Sequence, residues 1–356
     1  MIRLALHALA GPRGGPRTYG VALAHALART GAVDLVVLTD SPEAFGDLPT
    51  VRLTGPRPWA DHVQVPRILR RLAPHLYHNT KNALPWRLPC PGVVTMHDLA
   101  YHHFPETFGT LSRGYLRAVH RDAARRAARV IAVSRHAKQD LVTTLGLAPE
   151  RVDVIYHGVG EEFHRHARPL AHRAEPPYVL SVGTIQARKN LDVLVQAVAL
   201  LRRSLGRHVP LRIAGRRGWK TKAFDEAARH VQVDLLDVVP DGDLPALYGD
   251  AAVFVQPSSY EGFGLTAAEA MASGAPVVAA TGGSLPEVIG DAGLFVPPRD
   301  PEALAHAIGR VLGDARLEAQ LRLRGRARAR EFTWERSAQG HLESYRAALD
   351  APGGPR

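Results

Sequence analysis

Short apolar runs alternate with amphipathic segments along this chain, and that alternation restricts its fold more than any other feature of the sequence. In the first half, apolar runs over 2–8 and 33–39 flank a segment of helical periodicity over 18–29. The same rhythm restarts in the second half, with a run over 178–182 and a helical segment over 191–203. Because strands that alternate with helices form parallel βαβ units, we predict an α/β protein in which this series begins twice. The further predicted strands are 92–96, 130–133, 152–156, 211–214, 233–239, 253–256 and 277–280.

The length of the chain and one irregular segment predict two domains. At 356 residues the chain is longer than one hydrophobic core usually covers, and an apolar content of 46% is enough for two cores. The segment 164–177 has neither a helical nor a strand period and contains three prolines. We therefore predict a first domain over 1–165, a linker over 166–177 and a second domain over 178–333.

The positive charge of the chain leaves several classes of partner open. A net charge of +11 is compatible with nucleic acid, an anionic membrane surface or phosphorylated ligands. Only five of the 45 basic residues are lysines, and the arginines are spread through the predicted helices. This distribution is typical of a compositional bias, so we expect no nucleic-acid partner. The clusters 67–71 and 121–126 fit either solvated helix faces or a basic face that contacts anionic lipid.

The chain has one cysteine, Cys90, and no apolar run long enough to span a membrane. A single cysteine excludes an intramolecular disulfide and fits a reducing compartment. The apolar run at the start of the chain is short and interrupted by His7, so it predicts a first strand rather than a signal peptide. Uninterrupted apolar runs of about 18 to 20 residues are missing, so any membrane contact must be peripheral. We expect a cytoplasmic protein.

Two glutamates flank a glycine-containing turn between a predicted strand and a predicted helix. The run is Glu261-Gly262-Phe263-Gly264-Leu265-Thr-Ala-Ala-Glu269. Its glycines let backbone N–H groups approach an anion, and the helix start adds roughly half a positive charge. The carboxylate of Glu269, about one turn into the helix, can accept hydrogen bonds from two ribose hydroxyls. The layout predicts a nucleotide-sugar site, although the helix dipole alone favours acids at such positions.

This run resembles the donor-site signature of the retaining glycosyltransferases of family 4. The similarity continues through Glu269-Ala-Met-Ala-x-Gly-x-Pro-Val-Val278 and Ser284-Leu-Pro-Glu-Val288. The segments 94–99, 183–190 and 211–215 follow in the family's order and spacing, and they resemble the mannosyltransferase-like branch most. The resemblance implies the GT-B fold, in which two Rossmann-like domains with parallel sheets face each other across a cleft.

The resemblance also bears on the end of the chain and on metals. It implies that a C-terminal helix within 334–356 returns to the first domain. The terminal residues 351–356 are themselves expected to form a frayed tail. It further implies that no metal or other cofactor is needed. The sequence Asp241-Gly-Asp243 matches the metal-binding D-x-D pattern of another glycosyltransferase fold, but Pro245 indicates that Asp243 instead caps a helix.

A first glycine-rich loop, Gly11-Pro-Arg-Gly14-Gly15-Pro-Arg17, follows the first predicted strand. It matches neither the G-x-G-x-x-G fingerprint nor a Walker loop. From the residues alone, a structural turn and a phosphate-binding loop remain equally open. The resemblance implies that Gly14 and Gly15 line the cleft and contact the donor diphosphate or the acceptor.

A second loop, Gly183-Thr184-Ile-Gln-Ala-Arg188-Lys189-Asn190, enters a predicted helix for which Asn190 is well placed as the cap. Two cations beside a helix start are unfavourable, and this local conflict favours a diphosphate-binding function. Many relatives have an arginine directly after the glycine and a lysine five residues later. Here Thr184 takes the first place and Lys189 the second, and Arg188 is the candidate for the missing charge.

His97 and Asp98 end a predicted strand of the first domain. Open α/β sheets bind ligands at the carboxyl ends of their strands. A single histidine among 18 is more often structural, so the residues alone favour His97 only weakly. The resemblance implies that His97 faces the transferred sugar, whereas Asp98 orients the loop or His97. The other histidines show no metal-ligand spacing.

The resemblance and the residues together predict a retaining hexosyltransferase that uses a nucleotide sugar. We expect Lys189, Arg188 and the backbone N–H groups from Phe263 to Leu265 to neutralise the departing diphosphate. Glu261 would bind sugar hydroxyls and Glu269 the ribose. The predicted catalytic residues are His97, Lys189 and Glu261, and the predicted donor-binding residues are Gly14, Gly15, Thr184, Arg188, Lys189, Phe263, Gly264, Leu265 and Glu269. An evident nucleophile is missing, which favours front-face substitution over a double displacement through Glu261.

Donor and acceptor are less constrained by the sequence. The mannosyltransferase-like branch favours GDP-mannose as the donor, but 216–219, which follow the strand at 211–214, do not distinguish guanine from uracil or thymine. A saccharide, a lipid-linked saccharide and a small-molecule acceptor all remain open. A nucleotide-sugar epimerase of the same architecture and a non-catalytic binding protein are alternative functions.

Overall fold

The computed structural model describes residues 1–11, 14–165, 177–206 and 208–351. The chain forms two compact units, of which the first comprises 1–158 with 333–356 and the second 159–332. The predicted linker lies outside the described residues except for Pro177, and the predicted tail lies outside them from residue 352 onward.

The first unit contains a seven-stranded parallel sheet in the order β3-β2-β1-β4-β5-β6-β7. Its strands are β1 (Ile2–His7), β2 (Val33–Thr39), β3 (Thr50–Arg52), β4 (Leu76–Asn79), β5 (Gly92–Met96), β6 (Arg129–Ala132) and β7 (Val152–Val154). The order runs outward from β1 to β3 on one side and from β4 to β7 on the other. The direction of winding therefore reverses between β1 and β4.

The helices of the first unit connect these strands. They are α1 (Gly15–Arg29), α2 (Arg57–Trp59), α3 (Val65–Leu72), α4 (Ala100–His103), α5 (Thr110–Arg126) and α6 (Arg135–Leu145). A π-helical turn over Ala60–Gln64 joins α2 to α3. Such turns are rare and occur frequently at functional sites.

The second unit contains a six-stranded parallel sheet in the order β10-β9-β8-β11-β12-β13. Its strands are β8 (Val179–Val182), β9 (Leu211–Ala214), β10 (Asp234–Asp237), β11 (Val253–Gln256), β12 (Val277–Ala280) and β13 (Gly293–Val296). Its helices are α7 (Glu161–Arg165), α8 (Leu191–Leu205), α9 (Lys222–Ala228), α10 (Leu244–Gly249), α11 (Leu265–Ala272), α12 (Leu285–Ile289), α13 (Pro301–Gly313) and α14 (Ala315–Ala329). Here the winding reverses between β8 and β11.

Helices α8 and α13 illustrate how the core of the second unit forms. Leu194 and Val198 of α8 and Ile308 of α13 are completely buried in one cluster with Val253 and Val255 of β11. Strands of a parallel sheet are normally covered by helices, so their residues are apolar along the whole strand instead of alternating with polar ones. This is why short continuous apolar runs identified most of the strands.

The last helix, α15 (Trp334–Asp350), belongs to the first unit and packs against α1. Buried hydrogen bonds connect it to α1 and to the sheet. The hydroxyl of Tyr19 lies 2.8 Å from Nε2 of His341 on α15, and the hydroxyl of Tyr345 lies 2.7 Å from Nδ1 of His78 on β4.

Three strands, β3, β4 and β13, are missing from the sequence prediction. The most instructive is β4, whose residues Leu76, Tyr77, His78 and Asn79 are all buried. Its polar side chains hide it from an apolar pattern, but hydrogen bonds within the unit compensate for their burial. None of the described helices combines the length and apolar character needed to cross a membrane.

Candidate active site

The loop that follows β8 is tied to the loop that follows β11. Asn190, in the left-handed conformation at φ 49°, donates from Nδ2 to the carbonyl of Pro257 at 2.9 Å and to Oγ of Ser259 at 2.7 Å. The prediction that the Asn190 side chain caps α8 is therefore wrong, since it makes no capping hydrogen bond. Capping residues normally have extended backbone. Asn190 instead has left-handed backbone, and its side chain binds the loop that follows β11.

Two cations converge on one carboxylate at this edge of the sheet. Lys189 Nζ donates to Oε1 of Glu261, and Arg188 Nη1 lies 3.3 Å from its Oε2 and donates to the carbonyl of Tyr260 at 2.8 Å. Gln256, the last residue of β11, adds a hydrogen bond from Nε2 to Oε1 of Glu261 at 3.0 Å. The structure thus brings together three of the predicted site residues.

The environment of Glu261 keeps its carboxyl group ionised. The side chains of Lys189 and Arg188 are 16% exposed and that of Glu261 is 9% exposed. Burial by itself would raise the pKa of Glu261, but Lys189 and Arg188 outweigh that effect and lower the pKa to about 2. The carboxylate is therefore a hydrogen-bond acceptor at all physiological pH values.

A small cavity lies where the winding of the second sheet reverses. It is lined by residues at the ends of β8 and β11 and at the start of α8, namely Ser181, Val182, Gly183, Lys189, Leu191, Gln256, Pro257 and Ser258. Open α/β sheets bind ligands at such a switch point, outside the carboxyl ends of the strands. Lys189 accordingly lines the position that this topology favours for a ligand, and Glu261 pairs with it there.

Thr184 lies where two loops are in close contact. Its Cγ2 would be 2.8 Å from a Cβ added at Gly218, and the carbonyl oxygen of Gly183 would be 2.0 Å from one added at Gly215. The β8 loop therefore packs directly on the loop that follows β9, and glycines permit this approach. Arg217 of that second loop pairs with Asp225.

The glycine turn before α11 has the geometry expected of an anion-binding helix start. Gly264 occupies the N-cap position in the left-handed conformation at φ 87°, and an added Cβ would lie 2.7 Å from Leu285. Glycine at this position offers no side chain to cap Leu265 and the residues after it. A helix N-terminus carries partial positive charge, which makes it a favourable place for an anion. The side chain of Phe263 instead packs edge-to-face on Phe332, with ring centroids 5.4 Å apart.

Sequence reasoning missed Gly282 and Gly283 and assigned no role to Ser284, although these three residues hold this turn in place. Ser284 Oγ donates to the carbonyl of Glu261 at 3.1 Å, and Gly282 and Gly283 pack against the backbone of 258–261 so closely that a Cβ on either would clash. A signal was present, because Thr-Gly-Gly-Ser directly follows the run that forms β12. Two consecutive glycines there indicate close backbone contact.

Glu269 is buried inside the second unit. Its Oε2 accepts a hydrogen bond from the hydroxyl of Tyr248 at 3.0 Å, and burial raises the pKa of its carboxyl to about 8. At neutral pH this side chain is therefore mainly protonated. Tyr248, which the sequence analysis did not single out, is also fully buried.

His97 lies in the first unit, directly after β5. Its Nε2 lies 2.8 Å from the carbonyl of Thr80, which can only accept, so the proton is on Nε2. Burial lowers the pKa of His97, which keeps the ring neutral and leaves Nδ1 as a hydrogen-bond acceptor. Asp98 accepts from the backbone N–H of Ala100 at 3.1 Å and so orders the loop.

The remaining predicted positions are structurally less informative. Gly14 precedes α1 and Gly15 is its first residue, and a Cβ at either position would meet no atom within 4 Å. Pro12 and Arg13 lie outside the described residues.

Asp243 takes the position before α10, but its side chain makes no capping hydrogen bond. Within the described ranges, no group of three or more histidine, cysteine or acidic residues could hold a metal ion.

Comparison with known proteins identifies the family. The model of the glycosyl transferases group 1 matches 162–330, and that of Glycosyltransferase Family 4 matches 13–163. The O-antigen chain mannosyltransferase B of Escherichia coli is 32% identical over 289 residues, which are 78% of this chain and 76% of that protein. This chain belongs to the family 4 glycosyltransferases. The D-inositol 3-phosphate glycosyltransferase of Nocardia farcinica is 37% identical to this glycosyltransferase over 240 residues, 63% of the chain and 53% of that relative.

Solved structures confirm the predicted GT-B fold of this glycosyltransferase. Sucrose-phosphate synthase from Thermosynechococcus elongatus superposes with a TM-score of 0.80 at 23% identity, covering 97% of this chain and 98% of that one. WaaG, a glycosyltransferase of lipopolysaccharide biosynthesis, superposes with a TM-score of 0.76 at 19% identity, covering 95% and 99%. HepE of Anabaena, solved with UDP and glucose, gives 0.73 at 19% identity, covering 96% and 99%.

Proposed function

We propose that this glycosyltransferase moves a hexose, with retention of anomeric configuration, from a nucleotide sugar to a hydroxyl of a saccharide, lipid-linked or small-molecule acceptor. The observation that carries the proposal is the convergence of Lys189 and Arg188 on Glu261 where the second sheet reverses its winding. GDP-mannose is the proposed donor, with a role in polysaccharide assembly, because relatives include mannosyltransferases of Escherichia coli. The complex of HepE with UDP-glucose supports a nucleotide-sugar donor.

The proposed donor site stabilises the departing diphosphate electrostatically. Cleavage of the sugar–phosphate bond places negative charge on the leaving group, and Lys189 and Arg188 lie together to receive it. Glu261 holds both cations in place, so little reorganisation is needed when the charge develops. One donor of this type contributes about 3 kcal/mol to transition-state stabilisation. The N-terminus of α11 adds its partial positive charge.

Front-face substitution is the proposed route to retention. The bond from the anomeric carbon to the phosphate oxygen breaks while the bond to the acceptor oxygen forms on the same face. The hydroxyl proton of the acceptor passes to the departing phosphate. Glu261 is a poor candidate for a nucleophile because Lys189, Arg188 and Gln256 already donate to its oxygens. It is suited instead to accept hydrogen bonds from sugar hydroxyls.

His97 is proposed to bind the sugar as a neutral hydrogen-bond acceptor. Since Nε2 carries the proton and faces Thr80, Nδ1 presents a lone pair. A sugar hydroxyl can donate to it. The proposal is that this contact orients the transferred hexose, so His97 acts without changing its protonation state.

Nucleotide-dependent thermal unfolding tests the donor site first. Wild type and Lys189→Ala would be heated with GDP, UDP, dTDP and ADP, and Lys222→Ala serves as the matched control because the Lys222 side chain is 89% exposed. A ligand at about 100 times its Kd stabilises by roughly 2.7 kcal/mol. We expect one diphosphate to stabilise wild type and the control but not Lys189→Ala. If no nucleotide stabilises wild type, the assignment of the donor site is wrong. If the protein instead converts the sugar of a nucleotide sugar when no acceptor is present, the activity is that of an epimerase.

We further propose that the enzyme acts at the cytoplasmic face of a membrane. Helix α5 carries four exposed arginines at intervals of four residues, which places them in one ridge: Arg113, Arg117, Arg121 and Arg125. Like charges at this spacing repel one another, and an anionic surface would relieve the repulsion. Leu111 and Tyr115 on the same helix are 90% and 51% exposed. Arg126 is not part of this surface, since it binds Asp122 and the carbonyl of Pro85.

A further inference from the structure

The first unit has a switch point of its own, between β1 and β4. His7 ends β1 and Asn79 ends β4, and these two residues are partners in the register of the sheet. In the second unit, the candidate donor residues follow β8 and β11, which flank the equivalent reversal. The rule that places ligands at switch points therefore marks the carboxyl ends of β1 and β4 as a second ligand position.

The hydrogen bonds around His7 fix its protonation. The backbone N–H of Lys81 donates to Oδ1 of Asn79 at 2.8 Å, which identifies the other atom of the amide as Nδ2. That Nδ2 faces Nδ1 of His7 at 3.2 Å, and the hydroxyl of Tyr77 lies 2.8 Å from the same nitrogen. Nδ1 therefore accepts. The neutral ring then carries its proton on Nε2, and burial lowers the pKa of His7 to about 3.

The Nε2–H group of His7 points toward a carboxylate that it does not reach. Oδ1 of Asp61 lies 3.8 Å from Nε2, too far for a hydrogen bond. Both atoms are buried, and within the described part of the chain neither has a hydrogen-bond partner. Asp61 lies on the π-helical turn over Ala60–Gln64, a rare conformation that occurs frequently at functional sites. Two complementary polar atoms are thus held close together without satisfying each other.

We propose that His7 and Asp61 bind one hydroxyl group of a polyhydroxylated acceptor, a saccharide or a cyclitol. The hydroxyl oxygen accepts from His7 Nε2 and donates its own proton to Asp61 Oδ1. A carbonyl cannot donate to Asp61 and an ammonium cannot accept from His7, so the pair selects a hydroxyl. The proposal rests on the proposed glycosyltransferase function and assigns its acceptor contact to the first unit.

Flexible side chains border the pair. Nε of Arg57 lies 3.7 Å from Oδ2 of Asp61, and the Arg57 side chain is 47% exposed. Lys81 is half-buried and interacts electrostatically with both Arg57 and Asp61. The proposal requires these two long side chains to move aside when a ligand binds. Burial raises the pKa of Asp61, and the positive charges of Arg57 and Lys81 counteract part of that rise.

Saturation-transfer NMR on the full chain tests the pair directly. Methyl α-D-mannopyranoside and myo-inositol serve as the probes, each with and without the nucleotide that stabilises wild type. We expect Asp61→Ala and His7→Gln to weaken binding of at least one probe by tenfold or more, and Asp61→Asn to recover part of it. Because both residues hold the same hydroxyl, the double variant should bind the probe no more weakly than the weaker-binding single variant does. Asp47→Ala, on the exposed surface of the same unit, is the control.

The outcomes separate this inference from the proposed function. Nucleotide-induced stabilisation in the Asp61 variants should equal that of wild type, since Lys189 and Arg188, which are proposed to hold the diphosphate, lie in the other unit. If wild type binds no nucleotide, the proposed function is refuted but the hydroxyl pair is not. Wild-type probe affinity in Asp61→Ala, or failure of wild type to bind either probe, would overturn the hydroxyl pair and leave a buried water as its only occupant.

Discussion

The hydroxyl of Tyr248 donates a hydrogen bond to Oε2 of Glu269 across 3.0 Å, and both side chains are buried inside the second unit. Burial raises the pKa of Glu269 to about 8. In the unfolded chain a glutamate titrates near 4.3, so between these values only the unfolded state loses the proton. The stability that the protonated group contributes is thus fully present below about pH 4.3 and is lost progressively as the pH rises toward 8.

Glu269→Gln should remove this pH dependence. Wild type is expected to lose up to about 1.4 kcal/mol of unfolding free energy per pH unit between pH 5 and pH 8 relative to the variant. Urea denaturation at several pH values in this range measures the difference. Parallel curves for wild type and variant would show that Glu269 is ionised at neutral pH. Glu302→Gln, at an exposed position in the first turn of α13, provides the comparison.

Glu261→Gln should separate binding from catalysis. Removal of the carboxylate charge frees Lys189 and Arg188, so the affinity for the nucleoside diphosphate should be unchanged or higher. Hexose transfer should fall roughly 10²-fold or more, because the cations lose their fixed arrangement. Calorimetric titration and initial rates measure the two quantities. Weaker diphosphate binding in Glu261→Gln would contradict the proposed arrangement, in which loss of a cation, as in Lys189→Ala, weakens binding and loss of the Glu261 charge does not.

Of the four strands that flank the two switch points, three follow from the sequence, whereas most contacts at the switch points do not. Continuous apolar runs predict β1, β8 and β11 because burial in a parallel sheet demands them. β4 is hidden, since its His78 and Asn79 are buried through hydrogen bonds with residues distant in the chain. Such partners depend on the tertiary structure, and no local pattern specifies them.

The same limit applies to individual site residues. Arg188 and Lys189 stand out because two cations beside a helix start conflict with the helix dipole, and Glu261 stands out because it precedes a glycine-containing turn. The conflict does not reveal that they pair with one another, which requires two loops 72 residues apart to meet. Asn190 was assigned to the helix it precedes, although its left-handed backbone directs the side chain to the other loop. Backbone conformation of that kind is not encoded by residue type alone.

His97→Ala should reduce transfer and spare nucleotide binding. Loss of the proposed contact to the sugar is expected to lower kcat roughly 10²-fold. Because burial lowers the pKa of His97, the ring stays neutral at mildly acidic pH, so its protonation should not limit activity there. Rates with saturating donor and thermal unfolding with nucleotide test this, with exposed His102→Ala as the control. An unchanged kcat in His97→Ala would remove the residue from the mechanism.

Charge reversal on α5 should weaken membrane binding specifically. Arg113→Glu with Arg117→Glu changes the net charge by four within one exposed ridge. Each basic residue near an anionic surface contributes about 1 kcal/mol, so sedimentation with phosphatidylserine vesicles should fall by at least tenfold. Neutral phosphatidylcholine vesicles and Arg70→Glu with Arg71→Glu, exposed on α3, distinguish the ridge from general charge. Equal sedimentation of both double variants would refute a specific role for α5.

The docking of α15 should depend on pH through His341. Its Nδ1 lies 2.7 Å from the carbonyl of Ser337 and so carries the proton, and its Nε2 accepts from the hydroxyl of Tyr19. The neutral ring fits this arrangement, and burial lowers the pKa of His341 to about 4. An unfolded histidine binds a proton near pH 6.5, so the stability contributed by the neutral ring is present above that value and is lost as the pH falls toward 4.

The substitution His341→Gln isolates the contribution of this neutral ring to stability. The variant should be less stable than wild type at pH 7.5 by roughly 1–3 kcal/mol, because the hydroxyl of Tyr19 loses one of its two buried partners and keeps only Thr95. Between pH 6.5 and pH 4.5 the difference in unfolding free energy between wild type and variant should narrow by about 1.4 kcal/mol per pH unit. The reason is that unfolding of wild type exposes His341, which then binds a proton, whereas the variant has no such group. Urea denaturation across this range measures both effects, with His102→Gln as the exposed control. A gap that stays constant would mean that His341 is already protonated in the folded protein, and the donor and acceptor roles along Tyr19 would then be reversed.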